Sequence, residues 1–545
     1  MFTTQFDRRR LLTATGLGLL AVAAAPLAGC SSGQGPVNSA QKNLGVKLPT
    51  YRAYTGVTPD LPGTPEGVLP AFYNMPKNRA ASVKGKPGTG QSVSGMANIF
   101  YATPPGADQN PWLAGLNDRL GANLDMTMVP AADYSTKFAT TIAGNDLPDM
   151  MLVPNAGAPN LAELLKARFT DLTEYLSGDA ILEYPNLANI ATQSWKGAVY
   201  NGGIYGIPIP RGLIGGAFFI RQDLFEKYGA NPEPRNYNEF VEMTKALTDP
   251  KERRWCYANF VAPYTALLLM NGAPNNWRED GGKLTRSYET EEFKQTLNDL
   301  IELWKSGVMH PDTFSTTQPE KALFNAGTTA VSYGGYTAWT QFAQDNRSNP
   351  DFKLALMPSY ERTSGQLARW WTGNGLYSIN AFKKQDNPER TKLLLRICDY
   401  LAAPFGSEEH FYRLYGQEGR DHTLDANGNP VLTQQGQAQT VVPIRYLAES
   451  APVLYEPGRP KDADAQHAYQ SLEIPKGITD PTLGLYSNAF ATKNATIDKT
   501  FTTALYDIVQ GRKPFNSVDD LIATWRKTGG DEIRGEFEDQ LQKLS

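Results

Sequence analysis

An α/β protein of two lobes joined by crossing strands is the architecture this sequence predicts, and three observations predict it. Short apolar strands alternate with helical faces from about Met96 onward, the pattern of βαβ units. Two stretches share one design, glycines leading into an apolar strand and then a helix: Asn201–Tyr228, and Gly373–Ile379 with the segment that follows it. The chain also runs to 545 residues, too long for one simple core at roughly 150 residues per domain.

The N-terminus reads as an export signal rather than as part of the fold. Arg8-Arg9-Arg10 precede an apolar run, Leu11–Ala25, and small residues lead to Cys30. Residues 1–29 therefore form a signal peptide. Leu27-Ala28-Gly29-Cys30 resembles a bacterial lipobox, which makes Cys30 the lipidation site and the bilayer a partner through it. Asp7–Leu12 also resembles a twin-arginine signal, so two export routes stay open. Residues 30–95 form a Pro/Gly-rich tether and extension. Ser31–Lys47 reads as flexible, whereas Tyr51–Pro76 carries Tyr51, Tyr54, Phe72 and Tyr73 among prolines and is expected to lie extended on the folded body. No other run approaches the roughly 18 apolar residues of a membrane span. The remaining cysteines, Cys256 and Cys398, stand in apolar contexts and read as buried free thiols, although a disulfide between them stays open.

Within the body, Ala97–Tyr101, Asn123–Val129 and Asp149–Val153 read as strands. Pro111–Leu120 reads as a helix, and Tyr134, Phe138 and Ile142 fall on one face of another. A parallel sheet covered by helices follows. Ligands bind beyond the carboxyl ends of such strands, so the loops Thr103–Asn110 and Val153–Ala158 are candidate cleft loops. In Asn201–Tyr228 a Gly-Gly turn is followed by Ile207-Pro208-Ile209-Pro210, held extended because a residue before proline avoids the helical region. Gly215-Gly216 then lead into Ala217–Ile220 and a helix near Asp223. Phe293, Leu297, Leu300, Ile301 and Trp304 line a further helix. Thr328–Tyr333 and Phe352–Met357 are strands, and Gly375 opens the second crossing before a helix from Asn387. The last third is turn-rich and then helical from about Asn494. Residues 96–215 plus 376–420 form the first lobe, residues 216–375 plus 421–545 the second, and Gly215, Gly216 and Gly375 the hinge.

The net charge of −4 argues against nucleic acid, which calls for a basic patch. Four histidines, none in a His-Glu-x-x-His setting, leave no zinc motif and no expected cofactor. No Gly-x-Ser-x-Gly elbow is present. A carboxylate pair for glycoside hydrolysis stays open, because its spacing in space is invisible here. Binding signals are stronger. Asn271–Arg278 gathers amides, Trp277 and a guanidinium; Ala368–Asn374 does the same beside the second crossing; Tyr333–Trp339 is a third aromatic loop. Aromatic rings stack on the C–H faces of sugars, and Asn or Arg bond to the hydroxyls. The ligand candidates are Trp277, Asn275, Trp371, Trp370, Asn374, Trp339, Tyr336, Arg211 and Arg369, against the general expectation that a lone tryptophan belongs to the core. Arg211 and Arg369 suit an acidic sugar or, equally, a structural ion pair.

Cys30 with its signal, Tyr205-Gly-Ile-Pro, Phe219-Ile-Arg-Gln-Asp-Leu-Phe, Gly272-Ala-Pro-Asn-Asn-Trp277, Leu483-Gly-Leu-Tyr486 and Gly511-Arg-Lys-Pro514 occur in an order that resembles the family-1 extracellular solute-binding proteins. The resemblance is to the large lipoprotein branch that serves carbohydrate ABC importers. It covers essentially the whole mature chain. It implies a maltose-binding-protein-like, type II periplasmic-binding fold that closes on a carbohydrate and delivers it to permease subunits. It implies a non-enzymatic, extracytoplasmic protein on the outer face of the cytoplasmic membrane, expected to be a monomer. Gly215–Ile220 and Gly375–Ile379 are the crossing strands it implies. An exported carbohydrate-active enzyme, or the same fold binding a peptide or another small solute, are the alternatives.

Overall fold

A computed structural model of the chain describes residues 38–154, 158, 160–315 and 319–544. The signal segment, Cys30 and residues 155–157 of the Val153–Ala158 loop lie outside the described residues.

Nine strands build two sheets. In chain order they are β1 (Gln91–Ile99), β2 (Ala122–Pro130), β3 (Met150–Leu152), β4 (Ile207–Pro210), β5 (Gly216–Arg221), β6 (Trp255–Tyr257), β7 (Thr329–Gly335), β8 (Leu354–Met357) and β9 (Leu376–Phe382). The first sheet has the order β2-β1-β3-β9-β4 and the second the order β8-β5-β7-β6. Each sheet is mixed rather than purely parallel as the alternation predicts. β1 is parallel to β2 and β3, but β9 runs antiparallel to both β3 and β4. In the second sheet β5 runs antiparallel to β7 and β8, while β6 is parallel to β7. The reversed strands are those that follow a passage between lobes, because a chain arriving from the other lobe enters the sheet from the opposite end.

Local sequence accounts for the elements. Asn110 caps the helix Pro111–Leu120 by accepting from the Leu113 amide at 3.1 Å, proline sits in its first turn, and Gly121 ends it at φ 60°. Trp112, Leu113, Leu116 and Leu120 form its buried face, at the i, i+4 spacing of one helical side. Thr290 caps Glu291–Lys305 in the same way, and Phe293, Leu297, Leu300 and Leu303 are buried. Cys256 and Cys398 are buried free thiols.

The buried side chains divide into two large cores. One gathers residues from Val93 to Ile209, then Ile379 to Tyr412 and Val442 to Ala448. The other gathers Ile214 to Trp370 and Leu454 to Phe537, with Val68 and Ala71 from the N-terminal arm. Beyond the arm, the chain passes between them three times. The first passage, residues 211–215, and the second, residues 371–375, run side by side: the Arg211 amide donates to the Gly375 carbonyl at 3.0 Å, and the Gly373 amide to the Leu213 carbonyl at 2.7 Å. The predicted crossing strands are thereby corrected. Gly216–Arg221 lies wholly in the second sheet and Leu376–Phe382 wholly in the first, and the crossings are the shorter segments preceding them. The third passage follows Ala448 and precedes Leu454. Val442, Ile444, Leu447 and Ala448 thus join the first core, beyond the predicted limit at 420, because the turn-rich sequence before them folds back on that lobe.

The arm lies along the body, as its aromatics predict. The Arg52 amide donates to the Ala188 carbonyl in the first lobe at 2.8 Å, and the Leu69 amide donates to Gln470 in the second at 2.9 Å.

Candidate functional site

Topology places the carboxyl edges of both sheets at the junction. β4 leaves the first sheet at Pro210, paired with Leu376 where β9 begins. That position lies at the edge where β1 and β3 end. β5 enters the second sheet at Gly216, paired with Gly335 where β7 ends. Six Cα steps separate Pro210 from Gly216, so the two edges lie within about 20 Å along that connection.

On the first edge an aromatic cluster is exposed. Phe100 and Tyr101, directly after β1, are 59% and 56% exposed. Tyr377, second residue of β9, lies 5.1 Å from Tyr446 between ring centroids, and Tyr446 lies 6.2 Å from Phe100. Asn98 on β1 donates to the Tyr377 hydroxyl at 2.9 Å and fixes that ring. Large exposed rings at the carboxyl ends of strands are costly unless something covers them.

Charges border the rings. The Arg211 guanidinium lies 5.1 Å from the centre of the Tyr377 ring. Glu449 is buried and accepts from Arg413 at 2.7 Å and from Arg445 at 2.9 Å. Burial alone would raise the Glu449 carboxyl; Arg413, Arg445 and Arg211 outweigh it and hold the group well below the usual carboxylate range. Burial, and then the like charge of Arg445, push Arg211 down to about 10, with Glu449 opposing.

On the second edge, Asn259 after β6 and Ser332 on β7 both donate to the Glu320 carboxylate, Ser332 at 2.6 Å. Burial raises that carboxyl, partly offset by the Ser332 bond. Among the described residues no group of three or more His, Cys, Asp or Glu could hold a metal ion.

The predicted ligand residues separate into two groups. Arg211 stands in the aromatic cluster. Trp371 and Asn374 lie half-exposed on the second passage; the Trp371 indole donates to the Ala273 carbonyl at 3.0 Å and Asn374 accepts from the Leu376 amide at 3.0 Å. The others are elsewhere. Trp277 is 3% exposed and packs 6.0 Å from Trp525 and 6.2 Å from Phe537. Trp370 packs edge-on against Phe218 and Tyr469. Trp339 is buried and donates to Asp462 at 2.9 Å, and buried Tyr336 stacks on Tyr469. In this structure these four rings pack into the second core, against the expectation that they face a ligand: exposed neighbours such as Arg278 and Arg369 made their segments look like site residues, while the rings themselves point inward, Trp277 also bordering the cavity beside Arg369. Asn275 is also buried, and its amide clamps the Thr372 and Ile478 carbonyls at 3.1 and 3.0 Å. Arg369 is exposed beside it on a cavity of about 250 Å³ formed by the second lobe alone. Phe100, Tyr101, Tyr377, Tyr446 and Arg445 carry no sequence pattern of their own. Their one signal is position, immediately after a strand or at the start of one on the predicted cleft edge.

The family model for bacterial extracellular solute-binding proteins matches residues 119–403. That span covers more than half the chain and includes the first two passages. The chain belongs to the bacterial extracellular solute-binding proteins. It is 24% identical over 492 residues to the polygalacturonan/rhamnogalacturonan-binding protein YtcQ of Bacillus subtilis (strain 168), a match covering 85% of this chain and 94% of that one. It is 22% identical to lipoprotein LipO of the same organism, covering 82% of this chain and 91% of that one. Among solved structures, the N-glycan transport solute-binding protein NgtS of Streptococcus pneumoniae superposes with a TM-score of 0.62 at 16% identity, over 83% of this chain and 98% of that one. The alginate-binding protein AlgQ2 without calcium ion superposes with a TM-score of 0.57 at 17% identity, over 85% of this chain and all of that one. These likenesses establish the two-lobed fold. In a solute-binding protein the two carboxyl edges are the walls that ligand brings together, which gives the exposed rings of the first edge a partner surface.

Proposed function

We propose that the protein is the extracytoplasmic, lipid-anchored substrate-binding subunit of an ABC importer and that its ligand is an oligosaccharide. The observation that carries the ligand class is the row of rings at the carboxyl edge of the first sheet, exposed Phe100 and Tyr101 with half-buried Tyr377 and Tyr446. Rings fixed side by side offer flat apolar platforms to the C–H faces of successive sugar units, and neighbouring amide and guanidinium donors suit their hydroxyls. The names of the relatives, which bind polygalacturonan or carry N-glycan, support the same class. The lipobox at Cys30 and the LipO relative support the anchor.

The mechanism is closure without a catalytic step. The lobes rotate about the paired segments 211–215 and 371–375, and ligand stabilises the closed state because only there does it touch both walls. Trp371 and Asn374, on the second passage, are placed to meet a ligand held against the first wall. The permease subunits then receive the closed form of a single copy.

A melting-temperature panel tests this reading. Neutral and acidic oligosaccharides are compared with a tripeptide control, and the sugars are analysed afterwards for cleavage. A ligand at one hundred times its Kd adds about 2.7 kcal/mol to the stability of the folded state, a shift that such a panel resolves. At least one oligosaccharide is expected to raise the melting temperature and to be recovered intact. A shift with the peptide and none with any sugar, or recovery of shortened sugars, overturns the proposal.

A further inference from the structure

Arg211 is the one predicted ligand residue whose side chain stands inside the aromatic cluster. Its backbone is fixed, since its amide donates to Gly375 across the two passages. Its side chain donates only to the Pro210 carbonyl, at 2.8 Å, and rests over Tyr377. Among the described residues no carboxylate lies within ion-pair distance of it. The nearest acid that influences it, Glu449, is already committed to Arg413 at 2.7 Å and Arg445 at 2.9 Å. Three guanidinium groups thus surround one carboxylate, and the cluster carries excess positive charge. With Arg445 and Glu449, the other titratable groups facing Arg211 are Tyr377 and Tyr446. Even pushed down to about 10, Arg211 remains a cation at physiological pH.

A half-buried cation without a counter-ion gains little in water and loses more when the cleft closes and dries around it. The penalty is removed if the ligand brings the missing charge. A guanidinium binds a carboxylate through two parallel hydrogen bonds, stronger and better oriented than its bonds to neutral hydroxyls. We propose that Arg211, with Arg445 beside it, receives a carboxylate borne on a sugar ring, and that the ligand is a uronate-containing oligosaccharide whose ring lies against Tyr377 and Tyr446. The inference rests on the oligosaccharide reading above and narrows it. Lysine at this position keeps the charge but loses the planar fork.

The test is calorimetric titration of the full chain with oligomers of galacturonate, glucuronate and mannuronate, each paired with its carboxyl-reduced, neutral counterpart. At least one acid is expected to bind more tightly than its reduced form by roughly ten- to a hundredfold, the range of a hydrogen bond to a charged group. Arg211→Gln is expected to weaken the acid far more than its neutral counterpart and so to shrink that difference, and Arg211→Lys falls between. Rising ionic strength weakens the acid and not its neutral partner. Equal affinity for acid and reduced form, or a loss in Arg211→Gln of the same factor for both, overturns the carboxylate role while the oligosaccharide reading stands. No binding by any sugar, acidic or neutral, overturns both. If Arg211→Gln fails to fold, the wild-type acid-against-reduced comparison and its salt dependence decide alone.

Discussion

Glu473 ends the helix Pro460–Glu473 with no exposure to solvent. Burial pushes its carboxyl up to about 8, against a weaker pull from the Ser359 backbone. The folded state therefore keeps a proton that the unfolded chain releases near 4.5. A carboxyl raised by folding stabilises fully below its unfolded value, and the contribution is lost as pH rises toward the folded one. Stability should fall between about pH 5 and pH 8 for this reason, with buried Glu456 and Asp399, both raised to about 7, adding to the slope. Glu473→Gln is expected to stabilise the fold at pH 8 by on the order of a few kcal/mol at most, raising the melting temperature there, and to leave it nearly unchanged at pH 5. An equal shift at both pH values would mean that packing, not ionisation, is what the substitution changed. Single residues were also where sequence reasoning was weakest. Trp277 sits among Asn275, Asn276 and Arg278, which marks the segment as polar but says nothing of where the ring points; in the fold it fills a space beside Trp525 and Phe537, far along the chain. Conversely, Phe100 and Tyr101 read as the end of a strand, and only the sheet edge shows that they face outward.

At the scale of elements much more was legible, because helices and strands answer to local patterns. Pro111–Leu120 carries its own start and stop in Asn110, Pro111 and Gly121. The apolar runs located most of the strands, although β1 begins at Gln91 rather than Ala97 and β6 has no such run to announce it. What no local pattern could give was the direction in which β5 and β9 join their sheets, since that is set by where the chain arrives from. The same limit moved the hinge from the strands to the segments before them, and it separates two adjacent glycines. A Cβ on Gly215 would meet nothing within 4 Å, whereas one on Gly216 would stand 2.6 Å from the Tyr333 hydroxyl. Gly375 holds φ at +70°, a conformation that costs other residues about 1–2 kcal/mol. Gly215→Val is therefore expected to leave the melting temperature near that of the wild type while weakening ligand binding, because a β-branched residue stiffens the passage. Gly216→Val is expected to lower the melting temperature through Tyr333. Measuring both variants by melting and by titration checks this. If Gly215→Val binds as the wild type does, rotation occurs elsewhere along the three passages.

Across the whole molecule, the arm ties the lobes together independently of the passages. Tyr54 donates its amide to Asn189 in the first lobe at 2.9 Å, and the Tyr73 hydroxyl donates to Asp464 in the second at 2.6 Å. Between and beyond these anchors, Phe72 and Met75 form a third small core with Phe405 and Phe411, against which Val57, Val453 and Tyr455 pack. Phe72 stands 4.4 Å from Phe405, and its amide donates to the Leu454 carbonyl at 2.8 Å. This cluster thus joins the arm, the helical part of the first lobe and the third passage at one point. Phe72→Ala removes a buried ring there and is expected to lower stability by about 3–5 kcal/mol. Because the cluster belongs to neither lobe alone, the loss should appear as one lowered unfolding transition in calorimetry. If instead one lobe melts early while the other keeps the wild-type midpoint, the arm merely decorates a single lobe, and the passages alone couple the two.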